Sequence, residues 1–506
     1  MSFPLVAFLA LPVLLYVLSS AIWRDRSGGR PLPPGPTSFP LVGNLSYMRK
    51  PQLWKAHRDL CVTYNSDIVH LKVLGQHICI LGSPKSIFAL LDKRSSVTSD
   101  REHSPLVRLC GQGFQMSLMP YGAWWRRHRR AFWQHFYPTA TEKYRSVQKQ
   151  SAHMFLRKLL EDPSDLYDHI RYTFSATIVK VTYGVDVAEK NDPYIALIEK
   201  VLAAIVVLTP GRYLLQYLPI LEYVPEWVPG AGFQKELSGW RAAADYVKET
   251  LFAKSVELLD LADPPQSIVA QLVGKVRNQD DRPSNPDSGS AETEMDIAKN
   301  VALSIFEAAA DTTFSTLQAF FLAMSLCPDV QKKAQAQLDA VVGPHRLPDH
   351  EDQEALPYIS AIVKEALRWH VVLPFSIPHL TTEDMEYEGY FIPKGTALLG
   401  NKPERFNPDR YLDGGELDPN APDPSRFVFG YGRRTCPGRY FANSSLFINI
   451  AFILHTFNIT PPLDEQGKAI VIEHTMTETL TSYPEDFRCT VKPRSDRARQ
   501  LVLAES

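Results

Sequence analysis

The chain opens on an uncharged apolar run. No residue from Phe3 to Trp23 carries a charge, and Arg24, Arg26 and Arg30 follow at once. At about 1.5 Å per residue, a helix of that length reaches roughly 30 Å, the thickness of a bilayer core. With no Lys or Arg before the run, the charge bias predicts a single-pass anchor that leaves the rest of the chain cytosolic. A cleaved signal peptide is the competing reading, with Ser19 and Ala21 suited to a peptidase, but a positive n-region is missing. The sequence from Pro31 to Pro36 (PLPPGP) then predicts an extended hinge whose prolines stop the anchor helix. From Asp67 to Leu81 the apolar positions Val69, Leu71, Val73, Ile78 and Ile80 predict a small hairpin. From Ser83 to Asn278 the spacing is mainly helical, broken at proline and glycine clusters. Gln279–Asp296 is polar and reads as a surface loop, after which helical periodicity returns from Ile297 to Val342. Leu214–Trp227 is apolar and aromatic but too interrupted to span a membrane. It reads either as core or as a segment dipping into the membrane interface.

Composition narrows the function classes. The 506 residues are 45% hydrophobic and 22% charged, ordinary values for a globular chain. A net charge of −2 gives no basis for nucleic-acid binding. The cysteines Cys61, Cys79, Cys110, Cys327, Cys436 and Cys489 are scattered, and no pair has metal-ligand or redox spacing. Their distribution fits a reduced compartment.

The strongest chemical signal is the run Phe429–Gly438 (FGYGRRTCPG). Glycines let backbone approach a flat group closely, and arginines offer cations to acidic substituents. Pro437 suits the first helical position, so Cys436 is expected just before a helix N-terminus, where N–H groups and the dipole favour a thiolate. Alone, such a cysteine reads equally as a buried structural residue. Three further motifs stand in order. Trp125 and Arg129 are four apart on one predicted helix face, where an indole N–H and a guanidinium can grip a carboxylate. In Glu307–Thr313 (EAAADTT) an acid, Asp311, precedes a hydroxyl, Thr312, which can bond back four residues and relay protons; the bland alternative is plain core helix. Glu365 and Arg368 are three apart on another predicted helix.

These motifs resemble those of the cytochromes P450, the haem-thiolate monooxygenases, and the resemblance runs from Pro33 nearly to the end. It implies a mainly α fold with small β-sheets, the cytochrome P450 fold, behind a transmembrane helix. It divides the chain into an anchor (1–23), a basic and proline-rich hinge (24–36) and one haem-binding monooxygenase domain (37–506). It further implies haem b with Cys436 as axial ligand, within a loop fixed by Phe429, Gly432 and Gly438. Trp125, Arg129, Arg434 and His379 are expected on the haem propionates. Asp311 and Thr312 are expected to serve oxygen activation, and Glu365, Arg368 and Arg410 to form a structural clamp. Arg410 is preferred to Arg405 because Phe406–Tyr411 (FNPDRY) fits the family frame. The implied partners are an NADPH–cytochrome P450 reductase, the endoplasmic reticulum membrane and an apolar small molecule, with Leu303, Phe306, Val372, Phe375, Ile377 and Leu480 as candidate pocket residues. Arg126, Arg127 and Arg130 read either as a solvated face or as a docking surface for the electron donor. The pattern is closest to fungal enzymes of small-molecule metabolism.

Three departures stand out. Ala309 replaces a glycine beside the oxygen groove, and Leu380 replaces an arginine after His379. Between Thr396 and Phe406 only nine residues remain where relatives place roughly twenty, which predicts a missing strand and helix. The alternatives are therefore a haem-thiolate isomerase or dehydratase, and a catalytically impaired relative.

Overall fold

The computed structural model describes residues 21–188, 201, 208–209, 212–280, 291–400 and 406–504. The predicted span 3–23 lies outside these except for its last three residues. Among the described residues no helix is long and apolar enough to cross a membrane. The helix through residues 21–27 ends earlier than predicted. Its stop is Gly28 and Gly29, at φ 58° and 73°, not the prolines. Their N–H groups close on Asp25 and Arg24 carbonyls, the left-handed C-terminal turn that glycine permits.

The chain folds as two compact units, one of Met1–Glu102 with Phe375–Asn401, the other of His103–Pro374 with Lys402–Ser506. The first is built on a four-stranded sheet. The predicted hairpin forms as β1 (Ile68–Val73) and β2 (Gln76–Leu81), paired antiparallel. Its two-residue turn, Leu74-Gly75, has φ 47° and 91°, which matches the strand twist. Helix α1 (Leu53–Thr63) packs against both strands. The sheet is completed by β3 (His379–Leu380), while β4 (Met385–Tyr387) and β5 (Tyr390–Ile392) form a separate hairpin. The hinge segment is tied to this unit. Arg26 pairs with Asp384, Arg30 with Glu386, and the Pro31 and Pro34 carbonyls accept from Phe391 and His70.

The expectation of a lost strand after Thr396 is wrong. Ala397–Gly400 forms β6, an inner strand parallel to β2 and antiparallel to β3, with Cys79 and His379 both opposite Leu398. The short junction therefore follows the strand instead of replacing it, and the sheet keeps its ladder of backbone bonds. Residues 401–405 lie outside the described set.

The second unit is helical. In chain order it contains α2 (Ala123–Phe136), α3 (Arg145–Glu161), α4 (Leu166–Tyr183), α5 (Phe233–Glu257), α6 (Ile268–Asp280), α7 (Ala291–Leu326), α8 (Pro328–Val341), α9 (Pro357–Trp369), α10 (Arg439–Thr456) and α11 (Asp496–Leu503). The predicted loop 279–296 is shorter than expected, since α6 runs to Asp280 and α7 begins at Ala291. Short strands β7 (Leu412–Asp413) and β8 (Glu416–Leu417) pair, as do β9 (Phe457–Thr460) and β10 (Thr490–Pro493). Helix α7 is the axis, with α2, α4, α5, α6 and α9 packed on it. An all-round apolar helix must be buried on every side, and α7 is so from Val301 to Ser325, with one interruption described below.

Candidate active site

The interruption is chemical. From Val301 to Ser325 every residue of α7 is buried except Ala308, Ala309 and Thr312. Spacings of one and four residues put these three on one accessible stripe. Thr312 donates its hydroxyl to the Ala308 carbonyl at 2.8 Å, the predicted back-bond. With Ala309 in place of the family's glycine, α7 runs as an unbroken α-helix across the stripe.

Asp311 does not join Thr312. Its carboxylate, 4% exposed, accepts from Arg171 at 3.0 Å and from the Tyr483 hydroxyl at 2.5 Å. Burial lowers the Arg171 guanidinium most, but Asp311 and Tyr167 together more than offset it and leave it raised, while burial and then Asp311 raise the Tyr483 phenol. Neither partner carried a signal in the sequence, being 140 and 172 residues away. One turn earlier, Glu307 is buried without a cation. Its oxygens receive Gln112 at 3.3 Å and Gln115 at 2.8 Å, and burial pushes its carboxyl up to about 8.

The cysteine loop folds as its glycines require. Gly430 and Gly432 adopt φ 77° and 51°, and the Cys436 N–H returns to the Phe429 carbonyl at 2.6 Å. Gly438 caps α10, which starts at Arg439, so Pro437 falls outside the helix instead of at its first position, and Cys436 lies two residues before the cap. Burial pushes the Cys436 thiol up, while the Gly438 N–H, the Arg129 and Arg439 cations and the Arg439 N–H pull it down. Arg439 also donates to the Cys436 carbonyl at 3.1 Å. Burial lowers the Arg129 guanidinium to about 10, and its nearest acceptor is the Thr435 carbonyl.

Trp125 and Arg434 are brought together, though through backbone. Both donate to the Met116 carbonyl, at 3.1 and 3.3 Å, and Arg434 also donates to Met119 at 2.7 Å. The guanidinium stacks 4.5 Å from the indole centroid. His379 belongs to the other unit, buried in β3 with Nδ1 2.8 Å from the Thr98 carbonyl. Glu365 is fully buried and grips Arg368 through both oxygens at 2.7 and 2.8 Å. Arg410 lies 3.3 Å away, as its sequence frame predicted. Of the candidate pocket residues, Leu303 and Phe306 are fully buried in the helical core, and Phe375 packs edge-on against Trp54. Arg127 pairs with Glu294, leaving Arg126 and Arg130 exposed on α2.

No group of three or more His, Cys, Asp or Glu side chains that could hold a metal exists among the described residues. One cysteine among guanidinium groups fits instead a metal that brings its own equatorial ligands and acidic substituents. The donor set is compatible with the class that the resemblance implied, the haem-thiolate oxidoreductases. Comparison with known proteins agrees. A family model described as Cytochrome P450 matches residues 33–484, and the chain belongs to that family. It is similar to Cytochrome P450 monooxygenase COX2 of Coprinopsis cinerea, 40% identical over 496 residues that cover 95% of this chain and 93% of the relative. Cytochrome P450 monooxygenase ple1 of Rhodocybe pseudopiperita is 36% identical, covering 98% and 96%. Tryptamine 4-monooxygenase of Psilocybe cyanescens is 34% identical, covering 98% and 99%. The chain is thus an enzyme of the fungal cytochrome P450 monooxygenase family.

Proposed function

We propose that the chain inserts one oxygen atom of O2 into an apolar small molecule, with haem b held by Cys436 and electrons supplied from NADPH through a reductase. The carrying observation is the accessible stripe of Ala308, Ala309 and Thr312 on an otherwise buried helix. When bound, the haem supplies dioxygen activation, with thiolate donation favouring O–O cleavage.

The chain's own residues have the remaining tasks. Cys436, with the Gly438 and Arg439 N–H groups behind it, ligates the iron. Trp125, Arg129 and Arg434 answer the acidic edge of the haem. Thr312 holds a hydroxyl where a proton is needed, and the alanines beside it leave room without offering a competing polar group. Arg126 and Arg130, exposed on α2, support docking of an acidic electron donor. The uncharged run Phe3–Trp23 followed by arginines supports a single-pass endoplasmic reticulum location, with the catalytic part cytosolic. Exposed Ile220, Tyr223 and Trp227 support contact with the bilayer surface.

The test is spectroscopic. The purified full chain, reduced under carbon monoxide, is expected to show the red-shifted band of thiolate-ligated haem, and Cys436→Ala is expected to abolish it. Survival of the band in the variant would remove Cys436 as ligand.

A further inference from the structure

Asp311 is clamped from two sides by residues that lie far away in the chain. Arg171, 11% exposed, carries the balancing charge at 3.0 Å and stacks 3.7 Å from the Phe314 centroid. Tyr483 places its hydroxyl 2.5 Å from both carboxylate oxygens. Tyr167 meets Phe314 edge-on at 5.0 Å, and Phe314 meets Tyr483 at 5.9 Å, so aromatic rings box the ion pair.

The phenol stands on a rigid mount. Its neighbour Ser482 is held by four groups, its hydroxyl donating to the Thr477 carbonyl at 3.2 Å. The Ser482 N–H donates to the Val372 carbonyl at 2.8 Å. The Ser482 carbonyl accepts from Ser315 Oγ at 2.6 Å and lies 3.1 Å from His370 Nε2. His370 Nε2 also lies 3.1 Å from Ser315 Oγ, and its Nδ1 lies 3.2 Å from His474 Nε2. Tyr483 itself exchanges two bonds with Thr477, one to each of its backbone groups. Asp311 and Ser315 are four apart on α7, so one helix face receives both Tyr483 and Ser482.

We propose that Tyr483 is a positioning residue for proton delivery, its phenol fixing the direction of the Asp311 carboxylate and so setting how much turnover ends in product. Arg171 alone would hold the charge but leave the carboxylate free to turn about the cation. A phenol on a fixed mount removes that freedom. This rests on the proton role proposed above for Thr312 and on the expectation, implied by the family resemblance, that Asp311 serves oxygen activation with it.

Two readouts on the haem-loaded full chain test it. In Tyr483→Phe, haem content and the carbon monoxide band stay unchanged, while hydrogen peroxide formed per NADPH rises several-fold. In a double-mutant cycle of Tyr483→Phe with Asp311→Ala, scored by urea midpoint, the two losses are non-additive because each removes one partner of the same hydrogen bond. If Asp311→Ala leaves Arg171 unpaired and fails to fold, the cycle is run in an Arg171→Met background. Additive losses would overturn the proposal by denying the contact. Non-additive losses with an unchanged peroxide ratio would overturn it by making Tyr483 merely structural. A Thr312→Ala enzyme that stays tightly coupled would instead remove the oxygen-activation reading, and this proposal with it, while leaving the cycle non-additive.

Discussion

Thr312 donates to the carbonyl of Ala308 at 2.8 Å, and both stand on the only accessible stripe of α7 between Val301 and Ser325. A hydroxyl parked on its own helix keeps a defined orientation until a better acceptor arrives. Thr312→Ala removes the hydroxyl without opening the core. NADPH consumption is expected to continue while product falls, since general acid assistance is commonly worth about 10²–10⁴ in rate. Thr312→Ser, which keeps the hydroxyl, is expected to recover most of the loss. Product and peroxide measured per NADPH decide it, and equal coupling in wild type and Thr312→Ala would assign the proton to another path.

Glu365 tests structure, not chemistry. Its carboxylate is fully buried and answers Arg368, Arg410 and the Asn407 N–H. Breaking a buried pair leaves an uncompensated charge, a loss of about 3–5 kcal/mol. Glu365→Ala is therefore expected to give little folded protein. Arg410→Ala is expected to be far milder, because Arg410 is 38% exposed and water screens it. Urea midpoints check the ranking; equal losses would show that Arg410 shares the clamp fully.

What the sequence shows of this site depends on chain distance. The Cys436 loop, the Thr312 back-bond and the Glu365–Arg368 pair are local, each set by residues within ten positions, and their spacing carries them. The partners of Asp311 are not local. Arg171 is one of two Lys or Arg side chains on α4, with Lys180, and Tyr483 lies in a loop, and the packing of α4 and the C-terminal loop against α7 joins them. The same limit explains the error at Thr396. Counting residues showed a short segment, but the ladder of β6 with β2 and β3 is formed by the first four of the nine residues that remain. Nor do the prolines of residues 31–36 stop the first helix, because two glycines with positive φ end it before any proline is reached.

Trp125 and Arg434 converge on the Met116 carbonyl. Trp125→Phe keeps the stacked ring but removes one donor, a change of about 0.5–1.5 kcal/mol. Arg434→Ala removes the grip on both Met116 and Met119, together with the cation. Haem retention on gel filtration is expected to fall slightly in the first variant and steeply in the second. Equal retention in both would mean that the loop, not the cation, holds the group.

Trp227 is 82% exposed, in a segment that also exposes Ile220 and Tyr223. If this segment enters the interface, brominated lipids in reconstituted vesicles quench Trp227. The quenched component is expected to vanish in Trp227→Phe, which separates it from the other tryptophans. Identical quenching in the two proteins would place the segment in water.

Glu307 gives stability a pH dependence whose sign is fixed. Burial raises its carboxyl from the ordinary value of 4.5 to about 8, and the Asp311 charge one turn away acts in the same direction. Gln112 and Gln115 oppose the shift without cancelling it. Between those two values the unfolded chain has released a proton that the folded chain keeps. The folded state then binds more protons, so stability falls as pH rises through this window. The contribution is fully present below about pH 4.5 and gone above about pH 8, at up to about 1.4 kcal/mol per pH unit. Glu307→Gln keeps the shape and cannot ionise. Its stability relative to wild type is therefore expected to improve steadily from pH 5 to pH 8, read from urea midpoints at each pH. A difference that stays constant across the window would mean that Glu307 is already ionised in the folded protein, with a counter-charge supplied by a group other than the two glutamines.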